Sequence, residues 1–246
     1  MASSNADVHF DLVSMEHVIA PAPVPSVAVH GRSQRFPVRR IYCVGRNYAE
    51  HAVEMGFTGR EAPFFFMKPA DAVLSVEAGA TGTMRYPSLT KNLHHEVELV
   101  VAIGKGGRDI AAARAPDHVW GYAVGLDMTR RDLQTEMKKA GRPWSIGKGF
   151  DASAPIGPIT PASEVTDIYT ATIDLQVNGV PRQASRIDRM IWSVAEIIEH
   201  LSAAWTLAPG DLIYTGTPEG VAAVVSGYVL EARIGGLQVL KLRIQA

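Results

Sequence analysis

The stretch that most constrains this chain is Asn92-Leu93-His94-His95-Glu96-Val97-Glu98-Leu99-Val100-Val101-Ala102-Ile103. Leu99 to Ile103 is an unbroken apolar run containing β-branched residues, which reads as a buried β-strand. Two carboxylates stand one residue apart at its start. Side chains alternate along a strand, so Glu96 and Glu98 share a face, roughly 7 Å apart, and Val97, Leu99 and Val101 face a core. Like charges on one face of an apolar strand are costly unless water or a cation accompanies them. Two arrangements satisfy this. Either the strand start is solvated, or the carboxylates hold a hard divalent cation, whose preferred ligands are oxygens.

The rest of the chain bounds where such a strand can sit. Its 246 residues fit one large domain, or one domain with an appended arm. Nearly half of them are apolar and the formal net charge is −1. No basic excess points to nucleic acid, and no polybasic block points to an anionic membrane. A single cysteine, Cys43, excludes an internal disulfide framework and an all-cysteine zinc site, and fits a cytoplasmic protein. The beginning of the sequence lacks the pattern of a signal peptide. No apolar run reaches the ~18–20 residues of a membrane span. Pro21, Pro23 and Pro25 oppose a helix, so residues 1–38 read as an arm or small hairpin and 39–246 as the main domain.

Several local patterns add candidates. Arg39 to Gly45 reads as a strand. Asn47 then reads as the N-cap of a two-turn helix with Glu50 completing a capping box and Gly56 as its stop. On that helix His51 and Glu54 are i,i+3 neighbours, placed either as an ordinary surface pair or as a base and its orienting carboxylate. Phe64 to Met67 is an apolar strand between prolines, and Lys68 at its end reads as a surface residue, with an anion contact as the alternative. Gly104-Lys105-Gly106-Gly107 matches neither dinucleotide nor P-loop fingerprint and reads as a strand-end turn. Trp120 to Leu126 is another apolar strand, ending at Asp127. Thr129 is placed to cap a helix over Arg130 to Ala140. Lys148 stands between Gly147 and Gly149, in a loop where a lysine is ordinarily solvated. Asn178-Gly179 predicts a type I′ hairpin between Thr170–Val177 and Val180–Ser185. Asp188 to Ala204 is an amphipathic helix with an Ile191, Val194, Ile197, Ile198, Leu201 stripe. Thr215-Gly216-Thr217-Pro218 ends a further strand with groups able to donate to an anion. Many strands, few helices and no regular βαβ repeat predict a β-rich α+β fold.

Four blocks together carry a family resemblance: Cys43-Val44-Gly45-Arg46-Asn47-Tyr48, Asn92 to Leu99, Leu126-Asp127-Met128-Thr129-Arg130-Arg131-Asp132, and Tyr214-Thr215-Gly216-Thr217-Pro218. In sequence and order they resemble the signature of the fumarylacetoacetate hydrolase family, over residues 39 to 244, and within it the short acylpyruvate and fumarylpyruvate hydrolases. The resemblance implies a mixed β-sandwich or β-roll with a few peripheral helices, a homodimer, and one Mg²⁺ or Mn²⁺ per subunit. It implies metal ligation by Glu96, Glu98 and Asp127, and catalysis by His51, Glu54 and Lys148. Substrate contacts are implied for Arg131, Gln134 and Thr217. The implied reaction is hydrolysis of the C–C bond of an acylpyruvate-type 2,4-dioxo acid to pyruvate and a carboxylic acid. Oxaloacetate decarboxylation or 2-oxo-acid isomerisation at the same site is the alternative, and a non-catalytic 2-oxo-acid or metal-binding protein a third. A zinc deaminase, suggested by His94-x-Glu96, is excluded because no Cys-x-x-Cys partner exists.

Overall fold

In the computed structural model, which describes residues 17–49 and 60–246, the apolar run becomes β8 (Val97–Ile103), buried at every position. It lies inside an eight-stranded sheet. The order runs β4 (Phe64–Lys68), β3 (Arg40–Gly45), β15 (Asp211–Tyr214), β8, β9 (Val119–Leu126), β11 (Ala154–Ile156) and β5 (Val73–Ser75), with β12 (Thr160–Pro161) also on β9. β8 runs antiparallel to both β9 and β15.

Both faces of this sheet are covered, which explains why β8 reads as a continuous apolar run rather than an alternation. Val97, Leu99, Val101 and Ile103 belong to the larger core. That core also receives Ile173, Leu175, Leu230 and Leu240 from a five-stranded sheet. Its order is β14 (Val180–Arg186), β13 (Thr172–Val177), β17 (Val229–Ile234), β18 (Leu240–Gln245) and β6 (Thr81–Arg85). Val100 and Ala102 face the opposite way, into a second cluster with Ile41, Cys43, Leu212 and Tyr214. The hairpin of β1 (Ser26–Val27) and β2 (Phe36–Pro37) closes that cluster, burying Val27, Phe36 and Val38 against its own chain. Glu98 shares the parity of Val100 and Ala102, so its carboxylate emerges at the end of this second face.

The chain does not run straight through the acidic pair. The expected single strand breaks at Glu96, and β7 (Leu93–His95) joins a separate three-stranded sheet between β10 (Thr129–Arg130) and β16 (Ala222–Val224). Strands that change sheets turn corners, and here the corner carries a carboxylate.

The expected cap and start of the helix after Asp127 are corrected. Thr129 does not cap a helix; it pairs with His94 in β10. Helix α1 (Arg131–Lys139) starts two residues later, where the Asp132 carboxylate accepts from the Leu133 and Lys91 N–H groups. Gly141, at φ +62, ends it. The expected capping role of Asn47 involves residues outside those described, but its amide also ties distant segments of the chain together. Its Nδ2 donates to the Trp192 and Thr215 carbonyls at 2.9 and 2.7 Å, and its Oδ1 accepts from the Trp192 N–H at 2.8 Å. The remainder of that expected helix, including Glu50, His51, Glu54 and Gly56, lies outside the described residues.

The long amphipathic helix begins later than its stripe suggests. A short 3₁₀ turn covers Ile187–Arg189, and the helix numbered α3 is Val194–Ala204, following α2 (Ser145–Lys148). Ser193 and Glu196 form a capping box that sets its start, and the Ile191 N–H is spent on the Asn47 carbonyl. Ile197, Ile198 and Leu201 are fully buried, each contributing about 1.5–3 kcal/mol. The Asn178-Gly179 hairpin forms as expected, with φ +51 and +77 as a type I′ turn requires. No helix among the described residues is long and apolar enough to cross a membrane.

Candidate active site

Three carboxylates converge where β8 and β9 end. Glu98 is the second residue of β8, Glu96 occupies the corner before it, and Asp127 directly follows β9, its N–H bonded to the Glu96 carbonyl at 2.9 Å. One ligand oxygen from each lies within 4.8 Å of the others, and all three residues are buried. Burial pushes the Glu98 carboxyl well above the usual carboxylate range, and the Asp127 and Glu96 charges push the same way. Three buried anionic oxygen donors, with no sulfur among them, fit a hard divalent cation and suit zinc thiolate chemistry poorly. Gly216 supports the set. Its N–H donates to Glu98 Oε2 at 2.8 Å, at φ +100, and a Cβ there would sit 2.6 Å from the Asn47 Cβ. Only glycine fits that approach.

Three cations face the carboxylates. Lys148 is not solvated as its glycine-flanked loop suggested. It ends α2 and is 2 % exposed, with Nζ 2.8 Å from Glu96 Oε2 and 2.6 Å from Asp127 Oδ2. Burial works against its charge, but the Asp127 and Glu96 carboxylates outweigh it and raise its pKa above the ordinary lysine value. Lys148 is therefore a held ammonium, a donor rather than a base. Arg131, at the start of α1, donates to Glu96 and to Gln134 Oε1.

Lys68, read from sequence as a surface residue, is 1 % exposed. Its Nζ lies 2.8 Å from Asp127 Oδ1, a charge contact without hydrogen-bond alignment, and it donates to the Met128 and Lys148 carbonyls. The signal was its parity: Phe64, Phe66 and Lys68 share one face of β4, and Phe64 and Phe66 line the same pocket. Lys68→Met is expected to lower the stability of the metal-free protein by about 3 kcal/mol, the low end for breaking a buried pair because Lys148 still faces Asp127. Calorimetric melting checks this; an unchanged melting temperature would show the contact to be dispensable.

The carboxylates, Lys148 and Arg131 open into one pocket. Glu96, Glu98, Asp127, Arg131, Gln134, Lys148 and Thr217 all line it, so the structure brings these sequence candidates together. His51 and Glu54 lie outside the described residues. Arg46, Phe64, Phe66 and Trp144 form the remaining wall, with the Arg46 guanidinium 4.8 Å from the Phe64 ring centre. His94 stands behind Arg131. Its Nδ1 accepts from Arg131 Nε at 3.4 Å and its Nε2 faces Asn92 Oδ1 at 2.9 Å. Burial, with Arg131 assisting, pushes its pKa down to about 4. It is a neutral prop. Three carboxylates stand against Lys68, Lys148 and Arg131, with Arg46 also on the wall; a divalent cation leaves a net positive pocket suited to an anionic substrate.

Comparison with known proteins places this geometry. The family described as fumarylacetoacetate (FAA) hydrolase, C-terminal, matches residues 40–245. The fold is similar to the crystal structure of fumarylpyruvate hydrolase from Pseudomonas aeruginosa in complex with Mn²⁺ and pyruvate. The two superpose with a TM-score of 0.92 at 59 % identity, covering 94 % of this chain and 99 % of that one. The mitochondrial oxaloacetate tautomerase of Rattus norvegicus is 42 % identical over 207 residues, covering 84 % of this chain and 92 % of the relative. The mitochondrial oxaloacetate decarboxylase of Dictyostelium discoideum is 42 % identical over 199 residues, covering 81 % and 90 %. The chain belongs to the fumarylacetoacetate hydrolase family.

Proposed function

We propose that this protein is a divalent-metal-dependent hydrolase that cleaves acylpyruvate-type 2,4-dioxo acids, such as fumarylpyruvate, to pyruvate and a carboxylic acid. The observation that carries this is the convergence of Glu96, Glu98 and Asp127 with Lys148 and Arg131 in one pocket. Similarity to a fumarylpyruvate hydrolase that binds Mn²⁺ and pyruvate supports it. One Mg²⁺ or Mn²⁺ held by the three carboxylates would supply Lewis-acid polarisation of the 2-oxo acid oxygens and charge stabilisation of the departing enolate. Arg131, Gln134 and Thr217 bind and orient the pyruvoyl end. Lys148, held as an ammonium, offsets negative charge as it develops. His51, oriented by Glu54, takes a proton from water as the water adds to the distal carbonyl. The C–C bond then breaks, its electron pair passing to the pyruvate enolate, which is protonated at carbon. We propose that the protein works as a cytoplasmic homodimer.

Oxaloacetate decarboxylation or tautomerisation is the second reading, favoured by the rat and Dictyostelium relatives. The two differ in what occupies the distal side. There an adjoining cleft shares Phe64, Phe66, Trp144 and Lys148 with the site and adds Met67 and Arg142. A planar acyl arm fits between these rings, with Arg142 facing a terminal carboxylate. A panel of acetopyruvate, fumarylpyruvate and oxaloacetate, assayed for pyruvate with Mg²⁺ and with Mn²⁺, tests the function. Faster turnover of oxaloacetate than of either acylpyruvate would overturn the hydrolase reading. Arg142→Leu is expected to raise KM for fumarylpyruvate about three- to fivefold, the worth of one exposed charge contact of about 0.6–1 kcal/mol. KM for acetopyruvate should not change; equal changes for both substrates would remove Arg142 from recognition.

A further inference from the structure

β14 is an exposed edge strand that buries a single residue, Gln183, at 1 % exposure. A register shift against β13 accompanies it: Leu175 pairs with Gln183 but Gln176 pairs with Pro181. The extra residue bends the strand at the point where Gln183 turns inward. Its amide makes four contacts. Oε1 accepts from the Val97 N–H at 3.1 Å and lies 2.9 Å from His95 Nδ1; Nε2 reaches Thr217 Oγ1 at 2.8 Å and the Pro218 carbonyl at 2.9 Å.

Two of these partners settle every proton in the network. The Val97 N–H can only donate and the Pro218 carbonyl can only accept, so the amide cannot be flipped. His95 Nδ1 must then carry the proton it shares with Oε1. Thr217 Oγ1 must accept from Nε2, so the Thr217 hydroxyl hydrogen is directed elsewhere. No acceptor for it exists among the described residues, and Thr217 lines the substrate pocket. On its other side, Gln183 holds both residues that flank Glu96, His95 by its ring and Val97 by its backbone.

We infer that Gln183 is a positioning residue: it fixes the Thr217 hydroxyl as a hydrogen-bond donor into the pocket and clamps the peptide units on either side of Glu96. This rests on the proposed role of Thr217 as a substrate contact. Gln183 touches neither substrate nor cation, and it reaches the site from the opposite sheet. A buried amide with all four positions used permits one arrangement of its neighbours, which is why it can set the direction of a hydroxyl.

The test combines Q183M, T217V, T217S and the double variant Q183M/T217V, with Mn²⁺ as the metal and oxalate as a non-reacting anionic ligand. T217V is expected to weaken oxalate binding to the Mn²⁺-loaded protein by about 10–100-fold, the worth of a hydrogen bond to a charged group. T217S, which keeps the hydroxyl, should stay within about threefold of wild type, because the hydroxyl rather than the methyl makes that bond. At saturating Mn²⁺, Q183M should weaken oxalate to a similar degree, and the double variant should be little worse than either single one. Mn²⁺ affinity is a separate readout: Q183M should lower it by about 10–100-fold, as loss of a group supporting a ligand does, and T217V should not. Multiplicative oxalate losses in the double variant would overturn the coupling between Gln183 and Thr217. Unchanged oxalate affinity in T217V would overturn the Thr217 contact itself. Absent acylpyruvate hydrolysis with the expected oxalate pattern would overturn the function and leave the positioning role standing. If Q183M fails to fold by circular dichroism, Q183E carries the same test. It keeps an oxygen facing Val97 and replaces the amide donor by an acceptor that draws the Thr217 proton out of the pocket.

Discussion

Glu98→Gln is expected to make the metal-free protein more stable and the Mn²⁺-supplied protein about a thousandfold slower. The two effects share a cause. Glu98 is 1 % exposed and faces Glu96 and Asp127 across the 4.8 Å cluster. Lys68, Lys148 and Arg131 contact Asp127 and Glu96 and leave Glu98 with the Gly216 N–H alone, so folding without a metal ion must bury Glu98 either as a charge beside two others or with a proton taken up from water. A glutamine of the same shape keeps an oxygen for the Gly216 N–H and turns an amide donor toward the two remaining carboxylates. Relief of about 1–3 kcal/mol should raise the melting point of the metal-free protein by roughly 3–10 °C for a domain of this size. The same change removes one of three anionic ligands, so Mn²⁺ should no longer raise the melting point as it does for wild type. Loss of several kcal/mol of Lewis-acid stabilisation accounts for the fall in rate. Differential scanning calorimetry with and without Mn²⁺, beside a pyruvate-release assay, reads all three quantities. A destabilised metal-free variant, or one still stabilised by Mn²⁺, would show that Glu98 is not the crowded ligand described above.

What the sequence made visible, and what it hid, follows from the range of the interactions. The apolar run of β8 with two carboxylates at its start and the apolar run before Asp127 are local signals, and they located all three carboxylates before any fold was known. The break at Glu96 was not visible, because it arises from β10 and β16 pairing with β7, and those partners lie about thirty and more than a hundred residues away in the chain. Lys68 was misread for the same reason: an ammonium at a strand end is solvated by default, and only Asp127, from another strand, makes its burial tolerable. The long-range ties of the Asn47 amide to Trp192 and Thr215 were hidden in the same way. By contrast, the true start of α3 was written locally in Ser193 and Glu196; the apolar stripe outweighed it. Gln183 had no signal at all, since nothing in an exposed hairpin strand marks one glutamine as reaching the opposite sheet.

His51→Ala should cut acylpyruvate hydrolysis by about 10²–10⁴-fold, the usual worth of general-base catalysis, while leaving Mn²⁺ affinity nearly intact. His51 and Glu54 lie outside the described residues, so we propose their role from the sequence pair and from the chemistry of the groups around the pocket. Hydrolysis needs a base for water. Lys148 Nζ is engaged with Glu96 Oε2 and Asp127 Oδ2 on the carboxylate side of the pocket. Glu96, Glu98 and Asp127 form the proposed metal site. His94 has one ring nitrogen on Asn92 and the other on Arg131, which leaves it no free lone pair for water. We propose that His51, with Glu54 three residues on, supplies what is missing. Oxaloacetate decarboxylation needs the same binding groups but no attacking water, so His51→Ala should spare it. The decisive quantity is the ratio of hydrolase to decarboxylase activity in wild type and variant, measured at saturating Mn²⁺. A ratio that falls by about 10²-fold or more assigns water activation to His51. Equal losses in both activities, with metal binding and fold preserved, would instead give His51 a role common to both reactions, and full hydrolase activity would remove it from the mechanism.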